Sequence, residues 1–269
     1  TNDYVFTRRM AVQRGIINLK AGKNVKAILS TADLTKIGET SVVGLSMNSS
    51  SYATSNAEAG INLEANTTVT ADRTTAGNGA VGLYMNYGKV NTDASSIINV
   101  EKVTSNSAND SAVGIYSVNG SEVTNNGSVN VSGDKSIGLL GMAYRVTPPK
   151  VDPTTGKIIV PSKIVVDEFG AGAIGQGMVN IVNKGSVDLD GQEAIGMFAK
   201  NNKAGTTFTN AIALNDTTGV ITTTGDKAVG MAGEEATLTN RGTINVNGQT
   251  GTGMFAKSSS LIDPVTNAK

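Results

Sequence analysis

Residues 183–199, NKGSVDLDGQEAIGMFA, and residues 240–256, NRGTINVNGQTGTGMFA, align with each other without a gap. Two more segments share their Gly-x5-Gly-x4-Gly pattern, namely 125–141 (NNGSVNVSGDKSIGLLG) and 217–233 (TTGVITTTGDKAVGMAG). Four glycine triplets in the same register are typical of a repeat protein whose units stack on one another. The repeat therefore decides the fold.

The second half of the unit recurs in four other segments: VVGLSM at 42–47, AVGLYM at 80–85, AVGIYS at 112–117 and AIGQGM at 173–178. The last glycine of the unit thus occurs at positions 44, 82, 114, 138, 175, 196, 230 and 253. The shortest separations between these glycines are 21, 23 and 24 residues. We therefore predict about eight coils of that length, some of them enlarged by insertions.

Within each unit, aliphatic and polar residues alternate with a period of two, which indicates β-strands. Val187 and Leu189 face one way, and the glycine at 191 predicts a turn. In the next strand, Val81 and Leu83 exemplify the residues expected on one face, with the small residues and the unit glycine on the other. Helical solenoids need a 3.6-residue period and helix-forming residues, so they are excluded.

These patterns predict an all-β fold, a right-handed parallel β-helix with an inserted hairpin or loop. One coil alone would be unstable, because ordering its backbone costs ~1–2 kcal/mol per residue and each inward aliphatic side chain returns only ~1.5–3 kcal/mol. Stacked coils share their aliphatic rows and their hydrogen bonds. The β-helix is predicted over 28–257, with a flanking or cap segment at 1–27 and a tail or further coils at 258–269.

Asparagines recur at 125, 183 and 240, each two residues before a glycine of the unit. Asn tolerates the left-handed turn conformation, and stacked amides can hydrogen-bond between coils. We therefore predict an asparagine ladder along the rod.

Residues 143–169 form the clearest departure from the period and contain four of the five prolines. Two β-rich stretches flank Asp152-Pro153-Thr154-Thr155-Gly156, which predicts a hairpin or arm leaving the rod. Ordered loops on rigid scaffolds often bind partners. Lys150, Asp152 and Lys157 are accordingly candidate partner-binding residues, and a tolerated surface insertion is the alternative.

Aromatic rings occupy equivalent positions two residues after the unit glycine: Tyr84, Tyr116, Phe198 and Phe255. If that strand face points outward, glycine and alanine form a shallow shelf between rings that could stack on a sugar or a partner loop. These four residues are therefore candidate partner-binding residues. The alternative, which we prefer, is that the rings fill a corner of the coil.

Asp188 and Asp190 share one strand face and could in principle serve as catalytic carboxylates or calcium ligands. The same positions hold Asn, Ser or Thr in the other units, which indicates an ordinary polar exterior. We predict no catalytic, metal-binding or cofactor-binding residue, and no cofactor.

Composition excludes several classes of function. The chain of 269 residues contains no cysteine and no histidine, which rules out disulfides, thiolate–zinc sites and His-based triads. Its 22 basic and 22 acidic residues leave no net charge, so nucleic-acid binding is not expected. No apolar run of 18 residues suggests a membrane-spanning helix.

The units GSVDLDGQEAIGMFAK, GTINVNGQTGTGMFAK and GSVNVSGDKSIGLLG resemble the passenger repeats of type V autotransporters, most closely those of the large fusobacterial outer-membrane adhesins of the RadD group. The resemblance covers most of residues 28–257. It implies a β-helical passenger exported through a C-terminal β-barrel and displayed on the cell surface or secreted. The absence of cysteine agrees with passage through a narrow pore.

Three functions follow as hypotheses. The first is an adhesin passenger that binds surface proteins or glycans of other bacteria or of host cells. The second is a structural stalk segment whose binding site lies elsewhere in a longer protein. The third is a β-helical polysaccharide lyase, hydrolase or tailspike, which would need converging Asp, Arg or Lys residues that interrupt the repeat. The sequence contains no such cluster, so we expect a protein that is not an enzyme.

Overall fold

The structure is a computed structural model that describes residues 15–29, 42–48, 59–73, 80–102, 112–143, 145–147, 150–151, 158–160, 163–165, 178–201 and 211–257. In this part of the chain, three parallel sheets hold seven strands each, and four further strands form two antiparallel pairs. The prediction of an all-β parallel β-helix is confirmed.

Each coil contributes one strand to each sheet. The first sheet contains β1 (Gly15–Leu19), β4 (Ala59–Leu63), β7 (Lys89–Thr92), β10 (Ser121–Asn125), β17 (Val179–Asn183), β20 (Ala211–Asn215) and β23 (Thr237–Asn240). The second contains β2 (Asn24–Leu29), β5 (Thr68–Arg73), β8 (Ile97–Lys102), β11 (Ser128–Val131), β18 (Ser186–Leu189), β21 (Val220–Thr223) and β24 (Thr243–Val246). The third contains β3 (Val42–Asn48), β6 (Ala80–Asn86), β9 (Ala112–Val118), β12 (Ile137–Ala143), β19 (Ile195–Asn201), β22 (Val229–Glu234) and β25 (Thr252–Lys257).

The core lies inside the coils and consists of rows of like side chains, because matching residues of successive coils pair in register. The second sheet supplies the row Val25, Val69, Ile98, Val129, Val187, Ile221 and Ile244. The third supplies Leu45, Leu83, Ile115, Leu139, Met197, Met231 and Met254. Neighbouring strands in such a sheet lie ~4.8 Å apart, so each side chain between the two ends of a row packs between its two counterparts, whereas Met254 in the last described coil is exposed.

The number of coils differs from the prediction. Strand β12 pairs directly with β19, so no strand containing Gly175 lies between them in the third sheet. Gly175 itself is outside the described residues. The described part of the chain therefore holds seven coils rather than eight, and residues 144–177 separate two adjacent coils.

The β-helix begins earlier than predicted. Strands β1 and β2 already belong to the first coil, so the assignment of 1–27 to a flanking segment is wrong from residue 15 onward. The reason is that Ile17 and Val25 pair in register with the inward rows of the next coil, while the lysines lie outside. Lys20 Nζ donates to Glu64 Oε1 at 2.6 Å, which holds the pKa of the Glu64 carboxyl below its ordinary value. Strand β25 ends at Lys257, where the described residues also end, so the predicted end of the β-helix at residue 257 stays a prediction.

The alternation of faces in the third sheet is also corrected. Val81 and Leu83 were expected on the same face, yet Leu83 packs in the interior and Val81 packs with Tyr84 in a separate apolar cluster. Both Gly82 and Leu83 adjoin the interior, so the strict alternation is interrupted at the unit glycine. A pattern of period two cannot reveal such an interruption, because it assumes that every residue changes face.

The predicted asparagine ladder is present and longer than expected. Asn125 Nδ2 donates to Asn183 Oδ1 at 2.9 Å, and Asn183 Nδ2 donates to Asn215 Oδ1 at 2.9 Å. Asn215 continues the ladder to Asn240 at 2.8 Å. Thr92 begins it, since its hydroxyl donates to Asn125 Oδ1 at 2.9 Å. Asn215 was not predicted as part of the ladder because it lies four residues before its glycine, Gly219, and not two.

In the last four turns between the second and third sheets, Asp alternates with Gln along the rod. They read Gly-Asp-Lys at 133–135, Gly-Gln-Glu at 191–193, Gly-Asp-Lys at 225–227 and Gly-Gln-Thr at 248–250. The Gln192 backbone N–H donates to Asp134 Oδ1 at 2.9 Å. The same bond recurs from Gln249 to Asp226 at 2.8 Å. Because an Asp always neighbours a Gln, like charges do not stack, and the alternation favours one register of coils.

Replacing Glu193 by lysine should destabilise this turn stack. The carboxylate of Glu193 lies 4.0 Å from the ammonium groups of both Lys135 and Lys227, so Glu193→Lys places three like charges in a row. We expect the free energy of unfolding to fall by ~0.5–1 kcal/mol at low ionic strength. Urea unfolding measured at low and at high salt checks this, with Glu193→Gln as the control. A loss that high salt does not reduce would show that charge is not its cause.

Candidate binding surfaces

The four predicted aromatic rings lie in one row on the outer face of the third sheet. The complete row is Ser46, Tyr84, Tyr116, Leu140, Phe198, Ala232 and Phe255. The sequence prediction of equivalent positions is thus confirmed. Tyr84 and Tyr116 are neighbours and pack edge to face, with ring centroids 5.5 Å apart and planes at 73°. Leu140 separates Tyr116 from Phe198, and Ala232 separates Phe198 from Phe255.

Most of these rings are covered. Tyr84 is 4% exposed and belongs to an apolar cluster outside the coil interior. The buried members of this cluster are Val81, Tyr84, Val113, Val118 and Leu140, with Tyr116 and Phe198 packed against them. Phe255, in the last described coil, is 52% exposed. The row therefore offers one well-exposed ring and not a series of open stacking platforms.

The glycine shelf proposed beside the rings is not formed. A Cβ at Gly82 would lie 2.5 Å from Ile98 Cγ2, so this glycine faces the interior and the second sheet. The other interpretation, that the rings fill a corner of the coil, does not hold either, since they pack outside the interior core. Whether any of the four rings contacts a partner remains a prediction.

A trough of about 290 Å³ lies on the outer face of the second sheet. It is lined by Asn130, Val131, Ser132, Asp188, Leu189, Asp190, Thr222 and Thr224, which come from three consecutive coils. Asn130, Asp188 and Thr222 are register partners, because β11, β18 and β21 pair directly. The assignment of Asp188 and Asp190 to the polar exterior is confirmed, and together with short neighbours they form a concave surface that no single unit reveals.

The two carboxylates of the trough differ in how they are held. Asp190 Oδ1 accepts a hydrogen bond at 3.0 Å from the backbone N–H of Gly133 in the preceding coil. Asp188 is half-buried, and its carboxylate has neither a hydrogen bond nor an ion pair within the described residues. Among the described residues, no lysine or arginine lines the trough. The two carboxylates therefore bring negative charge and hydrogen-bond acceptors to a trough that also has apolar lining, including Val131 and Leu189.

The predicted arm forms antiparallel strand pairs. Strands β13 (Arg145–Thr147) and β16 (Lys163–Val165) pair, as do β14 (Lys150–Val151) and β15 (Ile158–Val160). This confirms the predicted hairpin. Lys150 lies in β14, whereas Asp152 and Lys157 fall outside the described residues, so their role in partner binding stays a prediction.

Comparison with known proteins identifies the family. The family model described as BigA third pectate lyase-like domain matches residues 4–267. The chain belongs to this family. BigA is a large bacterial surface protein, and the family domain is of the β-helix type, as observed here. No curated protein matches the chain, and no solved structure does.

The described part of this BigA-type domain contains no group of three or more His, Cys, Asp or Glu side chains arranged to hold a metal ion. Within the same residues, no helix has the length and apolar character required to cross a bilayer.

Proposed function

We propose that this chain is a segment of a surface-displayed bacterial adhesin, exported as an autotransporter passenger, that attaches the cell to other bacteria or to host cells. The observation that carries the proposal is the match of nearly the whole chain to a domain of a large bacterial surface protein. The resemblance of the repeats to the RadD group of fusobacterial adhesins supports the finer assignment. Proteins and glycans of the opposing surface are the expected partners.

The architecture suits this role. Stacked coils form a rigid scaffold on which the outward positions vary while the inward rows are fixed by packing. In the second sheet, for example, the outward row contains Asn130, Asp188 and Thr222 in three successive coils. A catalytic site would instead require groups that converge on one reacting atom. We therefore propose a binding function without catalysis.

A structural stalk is the second candidate. The regular inward rows and the paired turns favour a spacer, because every coil repeats the same contacts. In that case, the binding site would belong to another part of a longer protein. The arm between β12 and β19 distinguishes the two functions, since a spacer does not need it.

Removing the arm tests the proposal. Arg145 and Val165 are register partners and therefore lie side by side, so residues 146–164 can be replaced by a short turn that joins these two positions. We expect the variant to attach about tenfold less to partner cells when displayed in the parent protein, as is typical of the loss of an interface hot spot. Its thermal midpoint should change little. Adhesion assays together with protease accessibility on intact cells measure both attachment and display.

A second variant tests the predicted residues directly. The triple change Lys150→Ala, Asp152→Ala, Lys157→Ala keeps the arm and removes its candidate contacts. It should reproduce most of the deletion's effect. Attachment that is unchanged by both variants would remove the arm from the binding surface and favour the stalk.

A further inference from the structure

We propose that the trough on the second sheet, lined by Asn130, Asp188, Asp190 and Thr222, binds a neutral, hydroxyl-rich polysaccharide. This inference rests on the proposed adhesive function and names a ligand class and a place for it. It differs from the arm in position and in chemistry, so the two can be tested separately.

The side chains of the trough match the hydrogen-bonding groups of a sugar. Carboxylates accept hydrogen bonds from hydroxyl groups, and such charge-assisted bonds are shorter and stronger than neutral ones. The amide of Asn130 donates one N–H to Asn99 Oδ1 at 2.9 Å, and the Thr224 hydroxyl donates to the Leu189 carbonyl oxygen at 3.4 Å. The second amide N–H and the amide oxygen of Asn130, together with the Thr222 hydroxyl, remain to donate to and accept from a ligand. A pyranose that presents vicinal hydroxyl groups can therefore satisfy several of these groups at once.

The trough is also periodic. Asn130, Asp188 and Thr222 occupy the same position in three directly paired strands, so a polar side chain, though not the same one, recurs every ~4.8 Å across the sheet. A polymer that repeats its hydroxyl groups along its length meets a repeated set of partners. A compact ligand would contact the side chain of only one strand in this row.

The negative charge of the trough favours a neutral polysaccharide over an anionic one. Two carboxylates line the trough, and no lysine or arginine of the described residues accompanies them. A uronic acid polymer would bring its own carboxylates against them, and like charges at such distances oppose binding. Because Asp188 has no ion pair within the described residues, a neutral ligand does not have to break one in order to bind.

The test compares ligands of equal length and different charge. Hexagalacturonate, its fully methyl-esterified neutral form, mannohexaose and cellohexaose are titrated into the complete chain by calorimetry. We expect at least one neutral hexasaccharide to bind, and hexagalacturonate to bind at least about tenfold more weakly than that ligand. The proposal is overturned if no neutral hexasaccharide binds or if hexagalacturonate binds as tightly, with or without added calcium.

Variants locate the site. Asp188→Ala should weaken the binding of the neutral ligand by about tenfold or more, because a charge-assisted hydrogen bond is lost. Asn245→Ala is the matched control, since it changes the same outward row one coil beyond the trough. Both variants should retain the circular dichroism of the unaltered chain. Equal affinities of the two variants would exclude the trough.

Cell attachment separates this proposal from the adhesive function. Cells that display the Asp188→Ala chain and attach like the parent would overturn the trough as the adhesive site and leave adhesion standing. Cells that display the unaltered chain and fail to attach to any partner would overturn the adhesive function itself.

Discussion

Replacing Gly196 by alanine is expected to lower the free energy of unfolding by about 3 kcal/mol. A Cβ at this position would lie 2.5 Å from the carbonyl oxygen of Gly230 and would overlap the Ile221 side chain. The carbonyl belongs to the backbone of the neighbouring parallel strand, which hydrogen bonds hold on both sides. Relieving this clash therefore requires movement of a whole strand. Overpacking of this kind costs ~1–3 kcal/mol or more in the free energy of unfolding.

Gly253→Ala is the matched control for this substitution. Gly253 has the same position in the last described coil, yet a Cβ there meets no atom of the described residues within 4 Å. Its replacement should change the free energy of unfolding by less than ~0.5 kcal/mol. Urea unfolding followed by circular dichroism measures both variants. Equal stabilities would mean that the unit glycine does not face the interior.

Asn183→Ala is expected to destabilise the protein by about 3 kcal/mol. The side chain of Asn183 is 0% exposed, accepts from Asn125 at 2.9 Å and donates to Asn215 at 2.9 Å. It also donates to the carbonyl oxygens of Gly185 at 3.2 Å and Val220 at 3.3 Å. Alanine leaves these buried groups without their partner, and each unsatisfied group costs ~1–3 kcal/mol, partly relieved by relaxation.

The chain supplies its own control for the ladder. Asn62 also stands between two asparagines, since it donates to Asn18 at 2.9 Å and accepts from Asn91 at 3.3 Å. That row lies on the outer face of the first sheet, where water can replace each bond. Asn62→Ala should therefore cost less than ~0.5 kcal/mol in the same unfolding measurement. A similar loss for both variants would contradict the assignment of the buried ladder.

Local patterns were sufficient to predict the fold class. The alternation around Val187 and Leu189, followed by a glycine, specifies a strand and a turn in each unit. The recurrence of these units then implies stacking, because no single unit can bury its aliphatic face. The asparagine ladder was predictable for the same reason, since Asn125 and Asn183 mark equivalent turns.

Other features depend on contacts that no local pattern records. The segment containing Gly175 resembles a third-sheet strand, yet β12 pairs directly with β19, and pairing between distant strands decides the coil count. The first coil lacks the glycine triplet, so its alternating Ile17 and Leu19 were not recognised as part of the stack. The change of face at Gly82 arises from packing against the second sheet.

The candidate surfaces, too, were predictable only where they follow from equivalent positions in the repeat. The common row of Tyr84, Tyr116, Phe198 and Phe255 was predictable from equivalent positions in the repeat. Their exposure was not, because it depends on what packs against the outer face of the sheet. The trough joins residues 58 and 34 positions apart in sequence, Asn130 with Asp188 and Asp188 with Thr222, and its concavity depends on their relative sizes.

The stacking of coils is tested most directly by one distance across the rod. The chain has no cysteine, so Thr70→Cys and Asn245→Cys can carry the two spin labels of a double electron–electron resonance measurement. Both positions belong to the outward row of the second sheet, five coil steps apart. Stacked coils predict a single narrow distribution near ~24 Å between the labelled backbone positions. A broad distribution, or a mean beyond about 35 Å, would contradict the stacking of these strands.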